Sequence, residues 1–219
     1  MESRESLKMT FTSDSHFEKG VENGMIPEFV DLLDIAIKEL QTEDEYLRGA
    51  VAANPGTYPS NGKGNLSGLL RFNNERYYQY VVGKGLLRSY PYIVGLEKGK
   101  EMFDLTLKGP GQVNGFYAAV EMKRYMTPAG KVEPPEIQRD IQELLNAKAR
   151  LENAMILIFS ANLRQISIIE KNLKDLAKEL NTDRDNWEYR FFPTFSNEGE
   201  SVYFWIAGYE VPLISPSGA

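Results

Sequence analysis

Apolar residues recur at helical spacing in four stretches of this chain and at strand spacing, or in short unbroken runs, in six others. From Pro27 to Leu40, Phe29, Leu32, Leu33, Ile35, Ile37 and Leu40 mark a helix with an acidic outer face, and Pro27 suits its first turn. The breaker-rich run from Asn54 to Gly64 predicts a loop. A second helix is expected from Leu66 to about Leu87, carried by Leu69, Leu70, Phe72, Tyr77, Tyr80, Val81 and Leu86. Strands are expected at Tyr92 to Leu96, Met102 to Leu107 and Tyr117 to Tyr125, the last two separated by a turn at Gly109-Pro110-Gly111. A helix from Pro135 to Leu151 turns Ile137, Ile141, Leu144 and Leu145 to its apolar side. The unbroken run from Ala154 to Phe159 fits a strand covered on both faces. A fourth helix follows through Ile166, Ile169, Leu173, Leu176 and Leu180, and aromatic strands at Trp187 to Phe192 and Val202 to Tyr209 complete the pattern. The order predicts an α/β protein with a central mixed sheet flanked by helices.

Two strands break the pattern with charge. A two-residue repeat sends Glu121 and Lys123 to the side of Tyr117 and Ala119, while Val120 and Met122 point the other way. In the preceding strand, Asp104 and Thr106 lie opposite Phe103, Leu105 and Leu107. Two carboxylates and an ammonium converging across adjacent strands suit metal-assisted phosphodiester cleavage. Hard cations such as Mg²⁺ take oxygen ligands, and Asp104, Glu121 and a backbone carbonyl near Met122 supply them. Lys123 can orient the nucleophile, help deprotonate it, or neutralise developing charge. The bland alternative is a structural ion pair on a water-facing strand, worth about 0 to 1 kcal/mol.

Composition narrows the chemistry. The chain has 219 residues, 42% of them apolar, enough to bury a full core. It has no cysteine and one histidine, His16, which excludes thiolate sites and zinc sites with several imidazoles. The first residues show no apolar export segment and no run approaches the roughly 18 apolar residues of a membrane span, so a soluble cytoplasmic protein is expected. The glycines near Lys63 do not form a phosphate-binding loop.

The net charge of −6 is unevenly spread. Residues 1 to 55 carry a net −7, residues 56 to 150 a net +5 and residues 151 to 219 a net −4. The basic stretch contains the suspected site, so a local field can attract phosphate although the whole chain is acidic. Arg71, Arg76, Lys84, Arg88, Arg124, Lys131 and Arg139 are the candidate backbone contacts. Tyrosines at 77, 78, 80, 90 and 92 could stack on bases, although packing is their default role.

Asp104 on one strand and Glu121-Met122-Lys123 on the next, between two helices, resembles the PD-(D/E)xK nuclease superfamily over about residues 66 to 160. The resemblance implies a restriction-endonuclease-like αβββαβ core within a nuclease-like domain of residues 56 to 219. A 1 to 55 acidic helical segment precedes the core and an α/β extension follows it. It implies that Asp104 and Glu121 bind Mg²⁺, or Mn²⁺, and that Lys123 serves the attacking water and scissile phosphate. Glu75 corresponds to the additional helix-borne acid of many members, which makes it a third catalytic and metal-binding carboxylate, and Gln138 to a glutamine of the recombination nucleases, which would contact the substrate. The tyrosine that those relatives carry four positions later is here Gln142, and Phe103 stands where the name-giving proline would be. The implied function is hydrolysis of DNA, most simply double-stranded, by an endonuclease of restriction or defence type. Arg71, Arg76 and Arg124 would then help hold the substrate, and a homodimer would match a palindromic site. A repair or recombination nuclease, and a catalytically silent domain binding nucleic acid or protein, are the alternatives.

Overall fold

The computed structural model describes residues 29–53, 68–72, 74–89, 93–98, 103–108, 114–124, 134–163, 166–195 and 200–213. Pro27, His16, Lys131, the Asn54 to Gly64 loop and the Gly109-Pro110-Gly111 turn lie outside these residues, as does the side chain of Arg71.

Helix α1 (Phe29–Ala53) continues well past Leu40 and buries Leu32, Leu33, Ile35, Ala36 and Leu40. Asp31 and Asp34 lie on its exposed face, and acids from Glu39 onward find partners. Glu39 pairs with Arg88 at 3.2 Å, Glu43 binds Lys84 at 3.0 Å and the Tyr77 hydroxyl, and Asp44 is fully buried. Asp44 accepts the Leu69 N–H at 2.8 Å, the Thr194 hydroxyl at 2.9 Å and Arg48 Nε at 2.9 Å. A buried carboxylate with that many donors is a structural hub, since leaving it unpaired would cost several kcal/mol.

The helix expected from Leu66 to Leu87 is two elements, a 3₁₀ turn at Leu69–Phe72 and helix α2 (Glu75–Ser89). Asn74 makes the division. Its Oδ1 accepts the Arg76 N–H at 3.0 Å, and its carbonyl accepts the N–H groups of Tyr77 and Tyr78, as a helix cap does. Tyr78 rather than Tyr80 enters the core: Tyr78 is 1% exposed and Tyr80 56%. The two helices approach closely at Gly85, where a Cβ would lie 2.2 Å from Glu39 Cγ.

Strands β1 (Ile93–Lys98), β2 (Phe103–Lys108) and β3 (Phe116–Arg124) form an antiparallel meander. Helix α3 (Pro134–Asn146) then crosses over to β4 (Leu151–Leu163), which lies parallel to β3. Helix α4 (Ser167–Leu180) leads to β5 (Trp187–Phe195) and β6 (Ser201–Glu210). The six strands make one mixed sheet in the order β1-β2-β3-β4-β6-β5. Pro193 is tolerated because β5 is an edge strand. Gly115 enters β3 at φ +74°, and a Cβ there would meet the Arg150 carbonyl oxygen at 2.5 Å.

Two apolar layers cover the sheet. One joins α1 and α2 to Leu105, Leu107, Ala118, Val120, Met122, Leu157, Phe192 and Phe204. The other joins Ile137, Ile141 and Leu144 of α3 and Ile169, Leu173 and Leu176 of α4 to Ala119, Ile156, Ile158 and Trp205. Because β4 feeds both layers, its run of apolar residues is unbroken.

Strict alternation fails at two points. Phe103 packs in the α3/α4 layer, opposite Leu105 and Leu107, and Tyr117 packs against the α1/α2 layer with Ala118 and Val120. Each departure coincides with a skipped position in a ladder. The β1–β2 register passes from Lys98–Phe103 to Leu96–Leu105 without Asp104, and the β3–β4 register passes from Phe116–Leu151 to Ala118–Asn153 without Tyr117. Thus Tyr117 does not share the face of Glu121 and Lys123, and Phe103 does not share that of Leu105.

Candidate active site

The site forms where the β2–β3 ladder ends. Its last pair is Leu105–Val120, and Asp104 and Glu121 are the next residues on the two strands. Beyond that pair, the β2-facing N–H groups of β3 belong to Met122 and Arg124, and neither is left bare. Asp104 Oδ2 accepts from Met122 N at 2.7 Å, and Glu75 Oε2 accepts from Arg124 N at 3.1 Å. Two carboxylates therefore continue the ladder in place of strand backbone. Glu75 reaches β3 because it opens helix α2, whose start is set by Asn74.

Glu121 is 6% exposed and stands beside Asp104 at the end of the ladder. Burial first, and the adjacent Asp104 second, push its carboxyl well above the usual range; Lys123 opposes the shift without cancelling it. Lys123 Nζ lies 3.2 Å from Asp140 Oδ2 on α3. Burial alone would lower the Lys123 ammonium, but the charges of Asp140, Glu75 and Asp104 outweigh it and raise the group. Asp140 is pushed up to about 6, mainly by burial, with Lys123 pulling the other way. Glu75 is raised as well, through burial, despite its bond from the Arg124 N–H.

The structure thus brings together Asp104, Glu121, Lys123 and Glu75, and adds Asp140. Asp140 is not among the residues that the motif singles out. Its signal lay in spacing: Ile137, Asp140, Ile141 and Leu144 form the buried stripe of α3, and a carboxylate there requires a partner. Gln138 is not brought in; it is exposed, about 200° around the helix from Asp140. Arg76 and Arg139 are exposed and Arg124 half-buried beside the site, whereas Lys84 and Arg88 are committed to Glu43 and Glu39. Thr106 is satisfied within the sheet by the Gly95 carbonyl.

Four carboxyl groups around one ammonium leave a deficit of positive charge, and burial keeps water from making it good. Oxygen donors of this kind suit a hard divalent cation, for which Asp104 and Glu121 would be the two side-chain ligands. Among the described residues no group of three acid, imidazole or thiolate side chains is arranged to hold a metal. Glu75 and Asp140 face the Arg124 N–H and Lys123 instead. A separate cleft of about 510 Å³ at the opposite end of β4 is lined by Glu152, Asp185, Glu188 and Glu210, a surface that repels a polyanion.

The fold and site define an α/β protein with a mixed six-stranded sheet and a carboxylate-rich centre at the end of its β2–β3 ladder. The chain matches no family model, no curated protein and no solved structure. Among the described residues no helix is long and apolar enough to cross a membrane.

Proposed function

We propose that this chain is a Mg²⁺-dependent deoxyribonuclease, an endonuclease of restriction or defence type with a restriction-endonuclease-like core. The element order α2, β1, β2, β3, α3, β4, with three antiparallel strands and a fourth parallel to the third, agrees with the αβββαβ pattern that the motif implies. One observation carries the reading. Asp104, anchored on the Met122 N–H at 2.7 Å, and the buried Glu121 are the first residues past the end of the β2–β3 ladder, and the ammonium of Lys123, two residues on, lies 3.2 Å from Asp140 in the same site.

In this reading Asp104 and Glu121 hold the cation, helped by a backbone carbonyl and solvent. When bound, Mg²⁺ supplies Lewis acidity and an acidified water. Lys123 presents a fixed positive charge to the phosphate as negative charge builds on it. Glu75 ties α2 to β3 and keeps the strand end in register. Arg76 and Arg124, in the chain's basic stretch, contact the DNA backbone, and Arg71 lies in the same stretch. Double-stranded DNA is the proposed substrate, cut by a homodimer.

Supercoiled plasmid and single-stranded DNA incubated with Mg²⁺ or Mn²⁺ test the proposal. Cleavage by the intact chain, lost in Lys123→Ala and Asp104→Asn while both retain the wild-type circular dichroism spectrum, is the expected result. Salt-sensitive retention of DNA with no cleavage in either metal would instead make the chain a silent binding domain. Cleavage undiminished in both variants would refute the site.

A further inference from the structure

We propose that Asp140 is the positioning residue for Lys123: through the 3.2 Å contact between Asp140 Oδ2 and Lys123 Nζ, helix α3 fixes where the ammonium meets the phosphate. The inference rests on the nuclease reading. Asp140 occupies a buried stripe position on α3, between Ile137 and Leu144, and is 8% exposed. Its Oδ2 has no directed hydrogen bond, so the Lys123 cation is what compensates it. The pairing is selective. Glu121 is only two residues from Lys123 on the same strand, yet the ammonium reaches α3 while Glu121 turns to Asp104.

The consequence is a division of labour. A lysine on a four-carbon stem is intrinsically mobile. Held beside a buried carboxylate by its charge, it keeps its N–H groups for phosphate oxygens, in a direction set by the packing of Ile137, Ile141 and Leu144. Asp140 itself touches neither DNA nor cation in this arrangement and acts through Lys123.

Asp140→Asn and Asp140→Glu are compared with the intact chain in two assays. One is steady-state plasmid cleavage with Mg²⁺. The other, without DNA or metal, is acetylation of Lys123 by an N-hydroxysuccinimide ester, read by mass spectrometry. Asp140→Asn should lower kcat about tenfold to hundredfold with KM for DNA unchanged, as expected for a misplaced catalytic group. It should also speed acetylation of Lys123, and Asp140→Glu should recover part of both effects. A merely structural acid would shift stability without this combination. Should Asp140→Asn fail to fold, Asp140→Glu carries both readouts, with intermediate values expected. Wild-type kcat or an unchanged Lys123 acetylation rate in a folded variant overturns the positioning role and leaves the nuclease reading standing. An intact chain that cuts no DNA overturns the nuclease reading and this inference together.

Discussion

Glu121→Gln should stabilise the protein increasingly as the pH rises above the ordinary carboxylate range. Glu121 is a buried carboxyl beside the Asp104 carboxylate, so one of the two must stay protonated or both must bear mutual repulsion. Two unit charges about 4 Å apart at an effective dielectric constant near 20 repel by about 4 kcal/mol. Lys123 offsets part of this, leaving an expected 1 to 3 kcal/mol, an order-of-magnitude figure. The sign follows from proton linkage. The folded pKa of Glu121 is raised, so above the ordinary carboxylate range the native state binds more protons than the unfolded chain, and stability falls as pH rises. Glutamine does not titrate and can still donate to Asp104. Near pH 5 the two proteins should melt together; near pH 9 the variant should melt higher by roughly 2 to 12 °C, given about 2 to 4 °C per kcal/mol for a chain of this size. Adding Mg²⁺ at the alkaline pH should raise the intact chain more than Glu121→Gln, closing the gap. Differential scanning fluorimetry across this pH range reads all three effects. A variant that melts below the intact chain at every pH, or a gap that does not grow with pH, would refute the shared-site argument.

Other perturbations separate structural charges from the site. Asp44→Ala removes the acceptor for Leu69, Thr194 and Arg48 in the interior, and should cost about 3 to 5 kcal/mol in urea unfolding. A loss below about 1 kcal/mol there would mean that the hub is solvated instead. Lys84→Ala and Arg88→Ala should leave DNA retention on a gel unchanged, because these cations face Glu43 and Glu39 between α1 and α2. Weakened retention in either would return them to the DNA-binding set.

What could be read from the sequence depended on whether neighbouring residues agreed. The order of elements along the chain and the mixed α/β class were legible because β4 carries an unbroken apolar run and α3 is strongly amphipathic. Asp44 was not, because it stands between Glu43 and Glu45 and looks like one more surface acid. Its position on the stripe Leu33, Leu40, Asp44 and Val51 was the overlooked signal. The helix break at Asn74 was hidden by apolar residues on both sides, although an Asn-Asn-Glu run is a reasonable cap. In β2, a period of two cannot foresee that Asp104 leaves the ladder to take the Met122 N–H and so turns Phe103 to the other layer. Glu121 and Lys123 were legible because charged residues in a strand with apolar neighbours stand out.

The contest between an active centre and an ordinary ion pair turns on partner choice. A structural pair on β3 would join Glu121 to the lysine two residues away and leave both facing water. Instead Lys123 goes to Asp140, and Glu121 is buried against a second carboxylate. That arrangement lowers stability by itself, and it cannot relax by letting the acids drift apart. Asp104 is anchored on the Met122 N–H, and Glu75 on that of Arg124, so the acids are part of the hydrogen bonding that ends the ladder. Repulsion that geometry cannot relieve must be met by a proton or by a cation. At neutral pH the raised Glu121 carboxyl keeps its proton, and under the proposed function a divalent ion would take that proton's place.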